Sequence, residues 1–214
     1  MESSEHAPTD RNVYVKMELS MGGPALPDRG GSIEIWLRGE RFRVRDHTGR
    51  MFGEICADLV ARRGLGEPPA TIEEIMDIHG AALRPRRDAV QLFGDLATQR
   101  GWVATEGEEP WPIPATKLAG IAHQIFAGEP AASLERVGSP TRLGRPCVEY
   151  RGLVDGETQG VAWQNQVHRI VSPPYLLLDD VRAAKVPDWY YVREVVELVE
   201  GHVADAEVRP PDDR

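Results

Sequence analysis

Ile33-Glu34-Ile35-Trp36-Leu37-Arg38-Gly39-Glu40-Arg41-Phe42-Arg43-Val44-Arg45 alternates apolar and polar residues on both sides of a glycine-containing pair. Successive side chains of a strand point to opposite faces, so Ile33, Ile35 and Leu37 fall on one side and Glu34, Trp36 and Arg38 on the other. Beyond Gly39-Glu40 the same rule puts Phe42 and Val44 with the apolar set and Arg41, Arg43 and Arg45 opposite. The pattern predicts a tight hairpin with one buried face. Upstream, Val13, Val15, Met17 and Leu19 alternate with Tyr14, Lys16, Glu18 and Ser20. A turn-rich stretch, Gly22-Gly23-Pro24 through Asp28-Arg29-Gly30-Gly31, follows them. Residues 12–53 therefore read as a β-meander in an antiparallel sheet.

From about residue 54 to 128 the period changes. Thr71 and Glu74 fit a capping box, Ile72, Ile75, Met76 and Leu83 recur at helical spacing, and Gly80 is the expected end of the regular part. A second helix is expected from Asp88, carrying Val90, Leu92, Phe93 and Leu96 and stopping at Gly101. After the proline-rich loop Glu109-Pro110-Trp111-Pro112-Ile113-Pro114, a third amphipathic segment holds Leu118, Ile121, Ala122, Ile125 and Phe126 and ends at Gly128.

Alternation returns after Pro146. Val148 and Tyr150 lead to Asp155-Gly156, which predicts a turn. Val161 with Trp163, Val167 to Val171, Tyr175 to Leu178, and Trp189 to Leu198 then read as strands, with a break at Gly201-His202 before Val203 to Val208. The order strands, helices, strands predicts an α+β fold. It would be a single curved antiparallel sheet, an incomplete β-barrel, covered on one face by helices from the middle of the chain. Residues 12–208 would form one domain, made of a 12–53 meander, a 54–128 helical cover and the remaining strands over 144–208. Residues 1–11 and 209–214 would be disordered tails.

The 214 residues carry a net charge of −9, which opposes general binding to nucleic acid or an anionic membrane. That argument concerns the average surface and leaves room for a local basic patch. The opening MESSEHAPTDRN has neither the basic start nor the apolar run of a signal peptide, and no segment is apolar enough to span a bilayer. The sequence as it stands points to the cytoplasm; a leader removed beforehand would point to the periplasm or outside. Cys56 and Cys147 are far apart, and their pairing is left open.

Motifs for catalysis are missing. There is no GxSxG, no GxGxxG and no GxxxxGK[ST]. Glu73, Glu74, Asp77 and His79 make the densest acidic group, but His79 points off the helical face shared by Glu73 and Asp77. Asp179-Asp180 with Asp188 matches no calcium-loop spacing, and His123 and His168 are isolated in sequence. No metal and no cofactor are expected, and the chain reads as a non-enzyme. An enzyme would require dispersed acids and histidines to converge.

Two stretches of strand carry a family resemblance. Tyr14-Val15-Lys16-Met17-Glu18-Leu19-Ser20-Met21-Gly22-Gly23 and Gly31 to Val44 resemble the first strands of the periplasmic lipoprotein-carrier (LolA-like) superfamily. Gly144 to Tyr150, Val161-Ala162-Trp163, Val195 to Leu198 and Asp205 to Pro211 are similar to its later strands. The resemblance implies a half-barrel enclosing a lipid or acyl chain beneath helices. On that reading the ligand-lining candidates are Val15, Met17, Ile35, Leu37, Phe42, Tyr150 and Trp163 from strands, with Ile121, Ile125 and Phe126 from a helix. The same residues also suit an ordinary filled core. A rival reading is a cytosolic interaction module without a ligand, docking a protein partner through a sheet edge or the arginine stripe Arg38, Arg41, Arg43 and Arg45.

Overall fold

The computed structural model describes residues 12–23, 26–47, 90–105, 110–158, 161–185 and 188–210. Strands β1 (Asn12–Gly23), β2 (Leu26–Arg38) and β3 (Arg41–Asp46) form the expected meander. Their burial follows the alternation: Val13, Val15, Met17, Ile33, Ile35, Leu37, Phe42 and Val44 are all buried. Arg38 pairs directly with Arg41, which leaves Gly39-Glu40 as a two-residue turn. Gly39 takes φ 58 at its first position, the left-handed region where glycine is favoured. The chain reverses between Gly23 and Leu26, which pair with each other, but Gly30 and Gly31 lie within β2 and pair with Ser20 and Leu19, so strand runs through the rest of the expected turn-rich stretch. Pairing within the β1–β2 hairpin outweighs local turn propensity there.

The second helix expected from Asp88 is instead a hairpin. It consists of β4 (Val90–Asp95) and β5 (Arg100–Thr105). Leu92 and Phe93 are both buried, on opposite faces of the sheet, and adjacent apolar residues of that kind imitate a helical stripe. The connecting turn has no glycine. Asp95 Oδ1 accepts from the Thr98 N–H at 3.1 Å, and Gln99 takes φ 59. The proline-rich loop is also strand. β6 (Trp111–Pro114) pairs with β5 at the sheet edge, where a proline facing outward forfeits no ladder bond. The capping-box helix near Thr71, with Glu73, Asp77 and His79, lies outside the described residues.

One helix is described, α1 (Ala115–His123), and it packs on β2 to β6. Leu118 and Ala122 are its buried face. The helices that would cover the sheet are thus one helix among the described residues, together with the strap that follows it. In that strap Ile125 C=O accepts from Leu176 N–H and Ala127 N–H donates to Pro174 C=O, both at 2.9 Å.

The later strands are β7 (Leu134–Gly138), β10 (Val148–Thr158), β11 (Val161–Ser172), β12 (Tyr175–Ala183) and β13 (Tyr190–Glu200). Between β7 and β10 lies a small hairpin of β8 (Thr141–Arg142) and β9 (Arg145–Pro146). Asp155-Gly156 is no turn: β10 runs through it, pairing Asp155 with Gln164 and Gly156 with Trp163. Among the described residues the strands form an open eleven-stranded antiparallel sheet in the order β6-β5-β4-β3-β2-β1-β13-β12-β11-β10-β7. β1 pairs with β13, so the two β-rich ends meet at a central seam. α1 lies on one side of the seam and the strap reaches β12 on the other.

Candidate functional site

Most of the expected lining residues come together on the face beneath α1. Val15, Met17, Ile35, Leu37, Phe42 and Ile125 belong to one buried cluster, and Ile121 and Phe126 pack against it half-buried. Phe126 also stacks on Tyr175, with ring centroids 5.7 Å apart. Protein atoms already cover Val15, Met17, Ile35 and Phe42 completely. Tyr150 stands apart on β10, half-buried. Trp163 lies on β11 opposite Gly156, and its side chain is outside the described set.

Following the register of the same face across the other half reveals an arrangement that the motif search missed. Directly paired residues share a face, so the ladder Arg136, Tyr150, Arg169, Asp179, Arg193 and Leu19 forms one row across β7, β10, β11, β12, β13 and β1. Asp179 sits at its centre. Its Oδ1 accepts from Arg169 Nε at 2.7 Å and its Oδ2 from Arg193 Nη2 at 3.4 Å. Arg193 also donates to Gln124 Oε1 in the strap at 3.2 Å. The side chains of Asp179 and Arg193 are each 11% exposed, and that of Arg169 is 32% exposed.

Apolar rows flank this charged one. On the seam side Leu177, Val195, Met17 and Ile33 are buried. On the other side Leu134, Val167, Val181, Tyr191 and Met21 follow one another across the strands. Leu134 and Val167 are buried, whereas Val181, Tyr191 and Met21 are half-buried. Burial pushes the Tyr191 phenol up from its ordinary range, with Arg193 opposing and Asp179 adding to the shift. The sequence did hold a signal for the row. In Val167-x-Arg169-x-Val171, Leu177-x-Asp179-x-Val181 and Tyr191-x-Arg193-x-Val195, a charged residue occupies an apolar register position.

The opposite face carries the arginine stripe, and its charges are engaged within the chain. Arg38 donates to Val203 C=O at 2.9 Å, Arg41 meets Asp95 at 3.2 Å and Asp205 at 3.3 Å, and Arg45 lies 3.9 Å from Glu34. Arg43 lies between the rings of Trp36 and Phe93, 4.9 and 5.4 Å from their centroids. Desolvation, then repulsion from Arg45, lowers its pKa. Of the acidic residues near β12, Asp179 is held by two arginines and Asp180 by Arg182 at 3.0 Å. Among the described residues no group of three or more His, Cys, Asp or Glu is placed to hold a metal. His168 lies 3.0 Å from Glu149, and His123 meets Phe126 edge-on. Cys147 is buried, its thiol donating to Arg145 C=O, while Cys56 lies outside the described residues.

The β8–β9 hairpin is pinned to β13 by the ion pairs Arg142–Glu194 and Arg145–Glu200. Tyr175 Oη donates to Glu200 Oε1 at 2.8 Å. The Arg145 guanidinium, then Tyr175, holds the Glu200 carboxyl below the usual carboxylate range. A depressed folded-state pKa contributes stability above the unfolded value, and that contribution is lost as pH falls through the folded one. Wild type should therefore lose more stability than Glu200→Gln between pH 6 and the acid side of roughly pH 4. Chemical denaturation of both proteins across that range measures the difference. Equal pH profiles would show that the pairing contributes nothing.

No helix among the described residues is long and apolar enough to cross a membrane. No family model matches the chain, and no curated protein matches it. The chain is similar to a LolA superfamily protein from Nitrosomonas europaea, at 8% identity and a TM-score of 0.35, over 96% of this chain and 92% of that one. It is also similar to a domain from Vibrio parahaemolyticus described as an outer-membrane lipoprotein-sorting protein, at 5% identity and a TM-score of 0.33, over 92% of this chain and 89% of that one.

Proposed function

We propose that the chain is a non-enzymatic binding protein that shelters an apolar ligand, a lipid or acyl chain, against the inner face of β10 to β13. One observation carries the reading. The apolar row flanking the charges is sealed at Leu134 and Val167 but half-buried at Val181, Tyr191 and Met21. α1, which closes the β2 to β6 side, packs on other strands. Val15, Met17, Ile35 and Phe42 form filled core on β1 to β3 rather than the ligand's lining. An alkyl chain laid along the half-buried row removes its own apolar surface and that of the protein from water together.

Oleyl alcohol, an uncharged long-chain probe, tests this by calorimetric titration. Saturable binding near one molecule per chain is expected. Val181→Ser should weaken it about tenfold, the cost of exchanging one well-buried aliphatic contact for a hydroxyl. Circular dichroism would verify that the sheet persists in the variant. Absence of binding by the wild-type chain would overturn the proposal.

A further inference from the structure

We infer that the row Arg136, Tyr150, Arg169, Asp179 and Arg193 grips the head of that ligand, making the ligand an anionic amphiphile with a carboxylate or phosphate on an apolar chain. This deepens the binding reading above and rests on it. The row sets three guanidinium groups against one carboxylate. One arginine would suffice to neutralise Asp179, and Arg193, fixed between Asp179 and Gln124, is in place to do it. A second, partly desolvated guanidinium on the same carboxylate is a cost to folding unless another anion joins it.

Arg169 is the group left with capacity. It meets Asp179 through Nε alone, and among the described residues its two terminal nitrogens make no hydrogen bond. Asp179 therefore aims the fork of Arg169 rather than consuming it. A planar pair of N–H donors matches the two oxygens of a carboxylate or phosphate. Arg136 stands two strands away, about 10 Å at Cα by ordinary cross-strand spacing, with Tyr150 between them. Arg136 donates to Ser139 Oγ at 2.9 Å, an exposed contact through one terminal nitrogen that leaves the rest of its fork for a head group shared with Arg169. Val181 and Tyr191 sit in the adjoining row, so an alkyl chain leaving that head runs directly onto half-buried apolar surface. In a chain of net charge −9 this surplus is a local reversal of sign.

The test compares oleate with oleyl alcohol, which share a chain and differ in the head. Oleate should bind wild type ten- to a hundredfold more tightly, the usual worth of charge-assisted hydrogen bonds, and added salt should erode the advantage. Arg169→Gln should bring the ratio of the two affinities near unity. Arg136→Gln, at an exposed position that places no demand on folding, should remove part of it. Oleoyl lysophosphatidic acid, run in parallel, assigns the head: tighter than oleate means phosphate, weaker means carboxylate. Equal affinity of wild type for oleate and oleyl alcohol, or a ratio that neither arginine variant moves, overturns the inference while leaving the apolar site standing. Failure of both probes to bind removes the binding reading and this inference together.

Discussion

Asp179→Ala is expected to lower the free energy of unfolding by about 3–5 kcal/mol, as removal of one partner from a buried ion cluster generally does. The variant leaves Arg169 and Arg193 on the same face of neighbouring strands with no carboxylate between them. Arg193, 11% exposed, cannot turn out to water without opening the strap, and Gln124 offers it only a neutral amide oxygen. Asp179→Asn keeps one acceptor and should cost less. The adjacent Asp180 serves as a control. Its partner Arg182 is 59% exposed, and exposed pairs contribute about 0–1 kcal/mol, so Asp180→Ala should be nearly neutral. Urea denaturation distinguishes the two. An Asp179→Ala protein as stable as Asp180→Ala would mean that the row is well solvated.

The second large effect concerns Phe42 and Gly94, which face each other across β3 and β4. The Phe42 ring is fully buried and lies on Gly94, where an added Cβ would stand 2.1 Å from Cζ. Phe42→Ala should cost about 3–5 kcal/mol through lost burial and the cavity left behind. Gly94→Ala should cost about 1–3 kcal/mol, since the methyl overlaps a fully buried ring that must shift to admit it. The double variant is the informative one. Once the ring is gone, the methyl at 94 enters vacated space, so the double variant should be at least about 1 kcal/mol more stable than additivity predicts. Strict additivity would show that the ring does not rest on the glycine.

Much of the sheet was legible because one face of each strand is buried and the other is not. Val13 to Leu19, Ile33 to Leu37 and Phe42 to Val44 show that alternation without interruption, and each is strand. The reading failed where both faces are covered, as at Leu92-Phe93, and where pairing with a distant strand overrides a local turn signal, as at Asp155-Gly156. Trp111 to Pro114 failed for a third reason: an edge position tolerates prolines that a central strand would not. Of the site and its surroundings, the filled core on β1 to β3 was visible as periodicity. The charged row was not, because Arg136, Arg169, Asp179 and Arg193 are separated by up to 57 residues and only the register aligns them. A search for charged residues in apolar register would have marked the last three.

The seam between β1 and β13 also fixes an order of events during synthesis. β1 leaves the ribosome early, and its partner on one side, β2, follows at once. Its other edge must wait for β13, since Val15 pairs with Leu198 and Val13 with Glu200. Until then the centre of the future sheet is an open ladder with unpaired N–H and C=O groups, the form of strand most prone to pair with other chains. Closing so long a loop costs entropy that only late contacts repay, so closure of the seam should be slow and governed by the arrival of β13. A nascent chain truncated before Tyr190 would thus be the aggregation-prone species, and one that has released β13 the first able to protect its own middle.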